Sequence, residues 1–252
     1  MKLFDVKGKR AIVTGGSRGL GGAMAAGLME HGCKVAVIAA SPQTAERVAA
    51  FARPGWEYGC VAADLSRQEE RERAFRESLE LLDGRVDLLV NAAGIQRKHP
   101  CAEFPLPDWQ EVLEVNLTAT FAMCQLAGNR MLAQGRGKII NIASMGSYIG
   151  SVNVPAYVAS KGGVVQLTKA LSNEWSGRGV CVNAIAPGYM HTDLTVFLMR
   201  DETRNREILS RIPMGRWGEP EDLVGTVLFL ASAASDYITG AVIPVDGGFL
   251  GR

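Results

Sequence analysis

The chain has 252 residues, of which 47% are hydrophobic and 21% are charged, and its formal net charge is +1. This length suits one large or two small domains with a sizeable core. The balanced charge excludes the basic surface that marks nucleic-acid or membrane-surface binding. The N-terminus lacks the apolar core of a signal peptide, and no apolar run approaches a membrane span. We therefore predict a cytoplasmic protein that binds neither nucleic acid nor membrane.

The five cysteines are widely spaced, odd in number and form no C-x-x-C pair. This pattern favours buried or idle thiols in a reducing compartment over a disulfide framework or a zinc site. The three histidines are scattered, and none has a second histidine at ligand spacing. We predict no metal site.

The first strand is predicted at residues 10–14, and a glycine-rich turn, Thr14-Gly-Gly-Ser-Arg-Gly19-Leu-Gly21, follows it directly. Apolar residues then recur at helical spacing. Glycines at such a turn let the backbone approach a pyrophosphate, which binds the free N–H groups at the start of the helix. The spacing differs from the tighter three-glycine dinucleotide fingerprint. Its place between a strand and a helix nevertheless predicts a nucleotide site, with contacts from Gly15, Ser17, Arg18, Gly19 and Leu20.

The second strand is predicted at residues 34–39, and the residues after it indicate which nicotinamide cofactor is used. A site that prefers NAD usually has a carboxylate there for the ribose 2′-OH. This chain has Ala39-Ala40-Ser41-Pro42, and its first acidic residue after the strand is Glu46. Ser41 could donate a hydrogen bond to a 2′-phosphate, and Arg18 could pair with it. We therefore predict that NADP(H) is preferred, while NAD(H) remains possible.

Five further strands and five further helices alternate along the rest of the chain without a linker. The strands are predicted at residues 58–62, 86–91, 138–142, 180–184 and 241–245. The helices are predicted at about residues 66–82, 108–133, 156–176, 201–211 and 220–231, the first of them opening with a capping box, Ser66-x-x-Glu69. Alternation of this kind implies crossovers and a parallel sheet that is covered on both faces. We therefore predict an α/β fold, one doubly wound (Rossmann) domain over residues 1–252 with a seven-stranded parallel sheet.

Polar residues and glycine stand at the ends of several predicted strands. They are Asp64, Asn91, Ser144 and Pro187-Gly188, each at the last residue of a strand or just after it. In a doubly wound sheet the ligand crevice lies beyond the C-terminal ends of the strands. The coincidence favours a ligand site at that edge.

Tyr157 and Lys161 are four residues apart on a predicted helix, so they lie on one face, one turn apart. Ser144 stands thirteen residues upstream of Tyr157, at the end of a predicted strand. A phenol acts as a general acid only if its pKa falls toward the working pH, and a fall from ~10 to ~7 requires about 4 kcal/mol. A neighbouring ammonium favours the phenolate. Lys161 is therefore expected to lower the pKa of Tyr157. An ordinary surface helix would show the same spacing, but the glycine-rich turn favours a catalytic group.

Together these residues resemble the short-chain dehydrogenases/reductases over nearly the whole chain, in both order and spacing. The matching residues are Thr14-Gly15…Gly19-Leu-Gly21, Asp64, Asn91-Ala-Ala-Gly94, Asn116, Ser144, Tyr157-x-x-x-Lys161, Asn183, Pro187-Gly188…Thr192 and Asp246-Gly247-Gly248. The resemblance implies an NAD(P)-dependent oxidoreductase that moves a hydride between nicotinamide C4 and a carbinol carbon. One departure is Ala92, where the family commonly has a second asparagine.

The resemblance also implies a role for each residue of the site. Tyr157 would give or take the hydroxyl proton, and Ser144 would hydrogen-bond the substrate oxygen. Lys161 would lower the pKa of Tyr157 and bind the nicotinamide ribose, and Asn116 would join a proton relay from Lys161 to solvent. The implied cofactor contacts, besides the glycine-rich turn, Tyr157 and Lys161, are Asp64 and Leu65 at the adenine, Asn91, Ala92 and Gly94 on the adenosine side, and Pro187, Gly188, Met190 and Thr192 at the nicotinamide.

Finer features resemble a group of bacterial sugar-acid dehydrogenases, those named for 2-deoxy-D-gluconate and 2-dehydro-3-deoxy-D-gluconate. The stretches are Ile140-Asn-Ile-Ala-Ser-Met145, Asn173-Glu-Trp175, Ala186-Pro-Gly-Tyr-Met190 and Arg211-Ile-Pro-Met-Gly-Arg-Trp-Gly218. A sugar acid needs a cation for its carboxylate, and Arg97, Lys98 and Arg216 are the candidates. Arg97 and Lys98 are equally well explained as solvated loop charges. Met145 and Tyr157 are predicted to line the same pocket, and residues 189–212 to form a lid over it.

Two other functions fit parts of the chain. A 3-oxoacyl-carrier-protein reductase has the same four catalytic residues, but docking an acidic carrier would need a basic face, which the net charge of +1 disfavours. A catalytically silent dinucleotide sensor typically lacks the tyrosine or the lysine, whereas Asn116, Ser144, Tyr157 and Lys161 are all present here.

The predicted helices at 108–133 and 156–176 carry apolar residues on more than one face, including Leu113, Leu117 and Phe121 on the first. A helix that is apolar nearly all round must be buried on both sides. This pattern and the family resemblance predict a homo-oligomer, in particular a homotetramer with two-fold symmetry.

Overall fold

The structure is a computed structural model that describes residues 2–193 and 195–251. Seven strands form one parallel sheet. They are β1 (Arg10–Thr14), β2 (Lys34–Ala39), β3 (Tyr58–Ala62), β4 (Leu88–Asn91), β5 (Gly137–Ile142), β6 (Val180–Pro187) and β7 (Val242–Val245). Their order in the sheet is β3-β2-β1-β4-β5-β6-β7, so the direction of winding reverses between β1 and β4. This is the doubly wound (Rossmann) topology, and the predicted fold class is confirmed.

Nine α-helices connect or flank these strands within the described residues. They are α1 (Gly19–Glu30), α2 (Thr44–Phe51), α3 (Gln68–Leu81), α4 (Leu106–Leu113), α5 (Ala119–Gln134), α6 (Pro155–Trp175), α7 (Val196–Arg200), α8 (Glu202–Ser210) and α9 (Val224–Ala231). A π-helical segment, Glu114–Thr118, joins α4 to α5. Short 3-10 turns occupy Lys2–Phe4, Cys101–Glu103, Met145–Ser147, Ser176–Arg178, Pro220–Leu223, Ala233–Ser235 and Phe249–Gly251.

The helices cover both faces of the sheet because alternate side chains of each strand point to opposite sides. Val13 and Val37 belong to an apolar core shared with α1, α2 and α9. Ile12 and Ile38, one residue away along the same strands, belong to a second core shared with α3, α5 and α6. The central strands are buried on both sides, as parallel strands with helical crossovers must be. Within the described residues, no helix has both the length and the apolar character needed to span a bilayer.

Two local predictions are wrong, and one helix was missed. The helix predicted at 108–133 is divided by the π segment into α4 and α5. Ser66 does not cap α3, which begins at Gln68 after an uncapped Arg67; the Ser66 N–H donates to Asp64 Oδ1 at 3.0 Å, within the turn after β3. The helix α2, which follows the loop after β2, was not predicted.

The predicted lid at 189–212 contains two short helices, α7 and α8, and a small apolar core of its own. Ile208 and Ile212 are buried against Trp217, Phe249 and Met145. The lid segment therefore packs onto the turn that follows β5 and onto the last turn of the chain.

Candidate active site

The glycine-rich turn after β1 is packed backbone against backbone. Gly15 has a φ of 66°, and a β-carbon built on it would lie 2.8 Å from the backbone of Ala93, after β4. A β-carbon on Gly21 would collide with the Gly15 carbonyl oxygen. Only glycine fits at these two positions, so the turn, the start of α1 and the loop after β4 approach one another without intervening side chains.

The start of α1 is open to an anion. α1 begins at Gly19, and its N-cap residue, Arg18, provides no side-chain cap. A β-carbon on Gly19 would meet nothing within 4 Å, so the space in front of the helix is clear. Uncapped N–H groups at a helix start favour a phosphate, and this cradle fits the pyrophosphate of a dinucleotide.

The two groups predicted to recognise a 2′-phosphate lie in exposed local contacts. The Arg18 guanidinium is 3.5 Å from Asp193 Oδ2, and these side chains are 66% and 85% exposed. Ser41 Oγ donates to Gln43 Oε1 at 2.8 Å. Contacts this exposed contribute little to stability, so both groups can exchange them for a ligand phosphate.

The predicted adenosine side offers mainly backbone groups. Leu65 is buried in the core shared with α3, and the Asn91 side chain donates to Asn141 Oδ1 at 3.0 Å inside the protein. The N–H groups of Ala92 and Ala93 both donate to Thr14 Oγ1 at 3.2 Å, which fixes the loop beside the glycine-rich turn. Only the backbone of Leu65 and Asn91 is therefore available to a ligand.

The segment after β6 is held together by a hydroxyl. Met190 is buried, and its carbonyl accepts a hydrogen bond from Thr195 Oγ1 at 2.5 Å. The Thr192 N–H donates to the same hydroxyl at 3.1 Å. A β-carbon on Gly188 would lie 2.6 Å from the Cα of Asp246, so this segment also passes close to the turn after β7.

Ser144 lies two residues after β5, at the start of the 3-10 turn Met145–Ser147. It is 9% exposed, and its Oγ accepts a hydrogen bond from the Gly146 N–H at 3.0 Å. This bond uses a lone pair of the hydroxyl and not its proton, so Ser144 keeps a proton to donate. Ser144 is thus prepared to donate a hydrogen bond to a substrate oxygen.

Tyr157 and Lys161 lie in the first two turns of α6 and share one face, as the spacing predicts. The Lys161 ammonium is 5.9 Å from the centroid of the Tyr157 ring. Lys161 is buried, and its Nζ donates to the carbonyl of Ile142, the last residue of β5, at 2.7 Å. The lysine thereby ties the start of α6 to the strand that leads to Ser144.

The ionisation of this pair differs from the sequence-based expectation. Partial burial raises the pKa of Tyr157, and the Ser144 hydroxyl offsets only part of the rise. Burial lowers the pKa of Lys161 to about 8. Desolvation of the phenolate is the largest cause of the shift, so the pKa of Tyr157 rises overall in the chain alone, and the lowering of that pKa by Lys161 stays a prediction. Near pH 7 the phenol carries its proton and the lysine is mostly charged.

Asn116 is fully buried in the π segment Glu114–Thr118. Its amide is bonded on both sides: Oδ1 accepts from the Ile95 N–H at 2.8 Å, and Nδ2 donates to the Ile95 carbonyl at 3.0 Å and to Ser160 Oγ at 3.1 Å. Ser160 Oγ in turn donates to the Tyr157 carbonyl at 2.7 Å. A π segment holds one extra residue compared with a regular helical turn, and such insertions often mark a functional site. Here it brings the Asn116 amide between the loop after β4 and the start of α6.

Asn116 and Lys161 converge beside Gly94. A β-carbon built on Gly94 would lie 3.3 Å from Asn116 Oδ1 and 3.6 Å from Lys161 Nζ. The two polar groups therefore face the same small space, next to the loop that follows β4. The four residues predicted as catalytic thus come from three separate segments and meet at the ends of β4 and β5.

Two of the three candidate cations for a substrate carboxylate already pair with carboxylates of the chain. Arg97 Nη2 lies 2.8 Å from Glu111 Oε2. Arg216 makes two hydrogen bonds to Asp222, at 2.7 and 2.9 Å. The second arrangement is bidentate, so Arg216 is held firmly.

Lys98 and Met145 face the lid segment. Lys98 is exposed, and its ammonium lies 5.4 Å from the ring centroid of Phe197 in α7. In the described part of the chain, Lys98 has no carboxylate within ion-pair distance. The Met145 side chain is 9% exposed and packs with the buried residues of the lid.

Sequence reasoning missed three hydroxyl residues that hold the site together. Ser147, Ser160 and Thr195 each donate to a backbone carbonyl, of Lys161, Tyr157 and Met190 respectively. Each stands three residues after a predicted functional residue, namely Ser144, Tyr157 and Thr192. Each hydroxyl also bonds to the backbone of that residue, so the i+3 spacing, typical of local side-chain to backbone bonds, is the signal that could have found them.

Comparison with known proteins identifies the class of enzyme. Residues 15–250 match the sequence model of the family described as Enoyl-(Acyl carrier protein) reductase. The chain belongs to the short-chain dehydrogenase/reductase family. It is therefore an NAD(P)-dependent oxidoreductase, and the non-catalytic alternative is not retained.

The chain is similar to several named enzymes over its whole length. 2-Dehydro-3-deoxy-D-gluconate 5-dehydrogenase of Escherichia coli (strain K12) is 46% identical over 255 residues, covering 100% of this chain and 99% of that protein. 5-Keto-D-gluconate 5-reductase of the same strain is 38% identical, covering 98% of each. The crystal structure of a gluconate 5-dehydrogenase from Burkholderia cenocepacia J2315, in complex with NADP and tartrate, has a TM-score of 0.93 at 36% identity and covers 100% of this chain and 98% of that one.

Proposed function

We propose that the protein is an NADP(H)-dependent oxidoreductase that interconverts a ketone and a secondary hydroxyl of a sugar acid of the keto-deoxy-gluconate type. The observation that carries the proposal is the convergence of Ser144, Tyr157 and Lys161 at the strand ends, beside a glycine cradle that fits a dinucleotide. The names of the similar enzymes support a sugar acid as the substrate class.

The chain's own residues supply the acid–base chemistry. NADPH supplies a hydride when it is bound. Tyr157 donates its phenolic proton to the substrate carbonyl oxygen, since burial keeps the phenol protonated near pH 7. Ser144 donates a hydrogen bond to the same oxygen. Lys161, whose ammonium persists below a pKa of about 8, stabilises the phenolate that remains. Oxidation of the hydroxyl uses the same groups in reverse.

The preference for NADP(H) rests on charge near the end of β2. No carboxylate stands between Ala39, where β2 ends, and Glu46. Arg18 and Ser41 are both exposed enough to reach a 2′-phosphate. The NADP bound to the Burkholderia enzyme supports the same choice.

Among the three candidate cations, we infer that Lys98 is the first choice for the substrate carboxylate. Arg97 and Arg216 are already neutralised, by Glu111 and Asp222. The Lys98 ammonium lies over the ring of Phe197 in the lid segment. A substrate carboxylate would bind the ammonium more strongly than the ring does. A charge-assisted bond contributes about 1.5–3 kcal/mol. Lys98→Ala should therefore raise the KM for an acid by roughly ten- to a hundred-fold.

The matched experiment compares an acid with its neutral analogue. Lys98→Ala, Arg97→Ala and Arg216→Ala are each assayed on a keto sugar acid and on the corresponding neutral keto polyol. We expect only Lys98→Ala to discriminate, with KM unchanged for the polyol. If Arg97→Ala raised the KM for the acid alone, the carboxylate would be assigned to Arg97 in place of Lys98. If no variant distinguished the acid from the polyol, all three cations would be excluded as the carboxylate partner.

The substrate class is tested with a panel of keto sugar acids and 3-oxoacyl thioesters, each with NADPH and with NADH. The absorbance of the reduced nicotinamide reports turnover. We expect turnover of keto sugar acids with NADPH. Turnover of the acyl thioesters alone would favour the 3-oxoacyl-carrier-protein reductase, for which the acyl-carrier description of the matching family model is the supporting observation.

We also propose a cytoplasmic homotetramer. Phe121 on α5 is 43% exposed, and Leu113 and Leu117 before it are half-buried, so the apolar surface of this helical pair is not covered within one chain. All five cysteines are free, as expected in a reducing compartment. Light scattering at micromolar concentration should give the mass of four chains. A monomer mass would refute the assembly, and recovery of the protein outside the cytoplasmic fraction would refute the location.

A further inference from the structure

Ser147 lies between two members of the catalytic group and is bonded to the backbone of both. Its Oγ accepts a hydrogen bond from the Ser144 N–H at 3.3 Å and donates to the Lys161 carbonyl at 2.8 Å. Ser144 belongs to the turn after β5, and Lys161 belongs to α6. One hydroxyl thus links the segment that carries the serine to the helix that carries the tyrosine and lysine.

The turn around Ser147 is also fixed by close packing. A β-carbon built on Gly146 would lie 3.2 Å from Val158 on α6 and 3.4 Å from Ser144 Oγ. A side chain at position 146 would therefore be crowded, so glycine lets the turn lie close to α6, and the Ser147 hydroxyl bonds the turn to that helix. Because Ser147 is only half-buried, its hydroxyl could be solvated, and burial alone does not force the bond to Lys161.

The position of Ser144 matters because of how its own hydroxyl is used. Its Oγ accepts from the Gly146 N–H, which leaves a narrow range of directions for the proton that it donates. A displacement of about 1 Å in a group that positions a substrate can lower a rate by about a hundred-fold. A residue that fixes the Ser144 backbone relative to α6 therefore controls the alignment of the Ser144 proton with the Tyr157 phenol.

We propose that Ser147 is a positioning residue, which acts through Ser144 by holding it in register with Tyr157 and Lys161. This inference rests on the proposed function, in which Ser144 and Tyr157 share one substrate oxygen. Ser147 itself touches neither the substrate nor the reacting atoms.

The test uses four variants of the whole enzyme at positions 144 and 147 and one control variant. Ser147→Ala removes the link, Ser147→Thr retains a hydroxyl, and Ser144→Ala/Ser147→Ala is compared with Ser144→Ala alone. The matched control is Ser176→Ala, because the half-buried Ser176 hydroxyl also donates to a helix carbonyl, that of Ser172, at 2.6 Å, away from the site.

We expect Ser147→Ala to lower kcat about ten- to a hundred-fold, with an unchanged dissociation constant for NADPH and an unchanged melting temperature. Ser147→Thr should restore most of the loss, and Ser176→Ala should keep wild-type kcat. In the Ser144→Ala background, adding Ser147→Ala should change kcat by less than about two-fold, because its effect passes through Ser144.

Three results would overturn the proposal: wild-type kcat in Ser147→Ala, an equal loss in Ser176→Ala, or full additivity with Ser144→Ala. If the wild type turns over no ketone at all, the proposed function fails instead. The positioning role is then decided by a crystal structure of Ser147→Ala: a displaced Ser144 Oγ supports it, and an unmoved one contradicts it.

Discussion

The two ends of the ligand crevice are built in different ways. At the nucleotide end, the turn after β1 and the loop after β4 are shaped by backbone contacts, in which Gly15 and Gly21 leave no room for a β-carbon. At the catalytic end, buried polar side chains are held by hydrogen bonds to the backbone, Lys161 by the Ile142 carbonyl and Asn116 by the Ile95 N–H. The first end depends on steric fit, and the second depends on charge and on hydrogen-bond direction.

This difference teaches which property each substitution should change. A steric change at the cradle should alter folding and cofactor affinity together, since the same close packing serves both. A polar change at the catalytic end should alter turnover and leave the fold intact, provided the substituted group is replaced by one of similar shape.

The largest effect is expected from Tyr157→Phe, which removes one hydroxyl at the catalytic end. General acid catalysis contributes about 10²–10⁴-fold, so kcat should fall by at least about a hundred-fold. The dissociation constant for NADPH, from a fluorescence titration, should stay within about two-fold of wild type because the ring remains. Retention of more than about a tenth of kcat, a loss below roughly 1.4 kcal/mol, would remove Tyr157 from the role of acid.

The next largest effect is expected from Gly21→Ala at the nucleotide end, where a comparison with Gly19→Ala distinguishes steric fit from backbone strain. Gly21→Ala forces a β-carbon onto the Gly15 carbonyl oxygen, and we expect a loss of about 3 kcal/mol in the free energy of unfolding. Gly19→Ala is the matched control, because Gly19 has a φ of 54° but open space around it. A left-handed conformation alone costs about 1–2 kcal/mol.

Urea unfolding of the ligand-free protein measures both variants. If Gly19→Ala proved as destabilising as Gly21→Ala, then backbone strain rather than close packing would shape the cradle, and the contrast between the two ends of the crevice would be weaker.

The alternation of strands and helices and the positions of the main functional residues could be predicted because they depend on short sequence patterns. β1, β2 and β3 have the predicted bounds, since each is a short apolar run bordered by loop residues. Tyr157 and Lys161 share a face because helical geometry requires it. α2 was not predicted because it is a short helix of eight residues, of which only Thr44 and Val48 are buried.

The π segment could not be predicted because distant contacts hold it. Its first residue, Glu114, pairs with the buried Arg71 of α3 at 2.7 Å. Its third, Asn116, is bonded to Ile95 and Ser160. One inserted residue barely changes the apolar pattern of a long helix, whereas these tertiary bonds fix where it falls. The raised pKa of Tyr157 could not be predicted for a related reason, since desolvation of the phenol depends on the whole fold.

A smaller effect concerns pH at the catalytic end. Lys161 is charged below its pKa of about 8, and above it the ammonium that stabilises the phenolate is lost. In the direction of ketone reduction, kcat/KM should therefore be flat below about pH 8 and fall about ten-fold per unit above it. Lys161→Arg keeps its charge at all these pH values. Whatever its absolute rate, its profile should lose this inflection, and an unchanged inflection would assign it to another group.

The smallest effect is expected at the exposed edge of the nucleotide end, where charge and not steric fit acts. Arg18 pairs with Asp193 through a 3.5 Å contact between exposed side chains, so this ion pair contributes at most about 1 kcal/mol. Arg18→Ala should lower kcat/KM with NADPH by about ten-fold, because a guanidinium bond to the 2′-phosphate is lost, and should change it little with NADH. Asp193→Asn provides the matched control: it frees Arg18, so the preference for NADPH should rise by about two- to five-fold. Equal losses with both cofactors in Arg18→Ala would show that the arginine shapes the turn, and the nucleotide end would then depend on steric fit even at its surface.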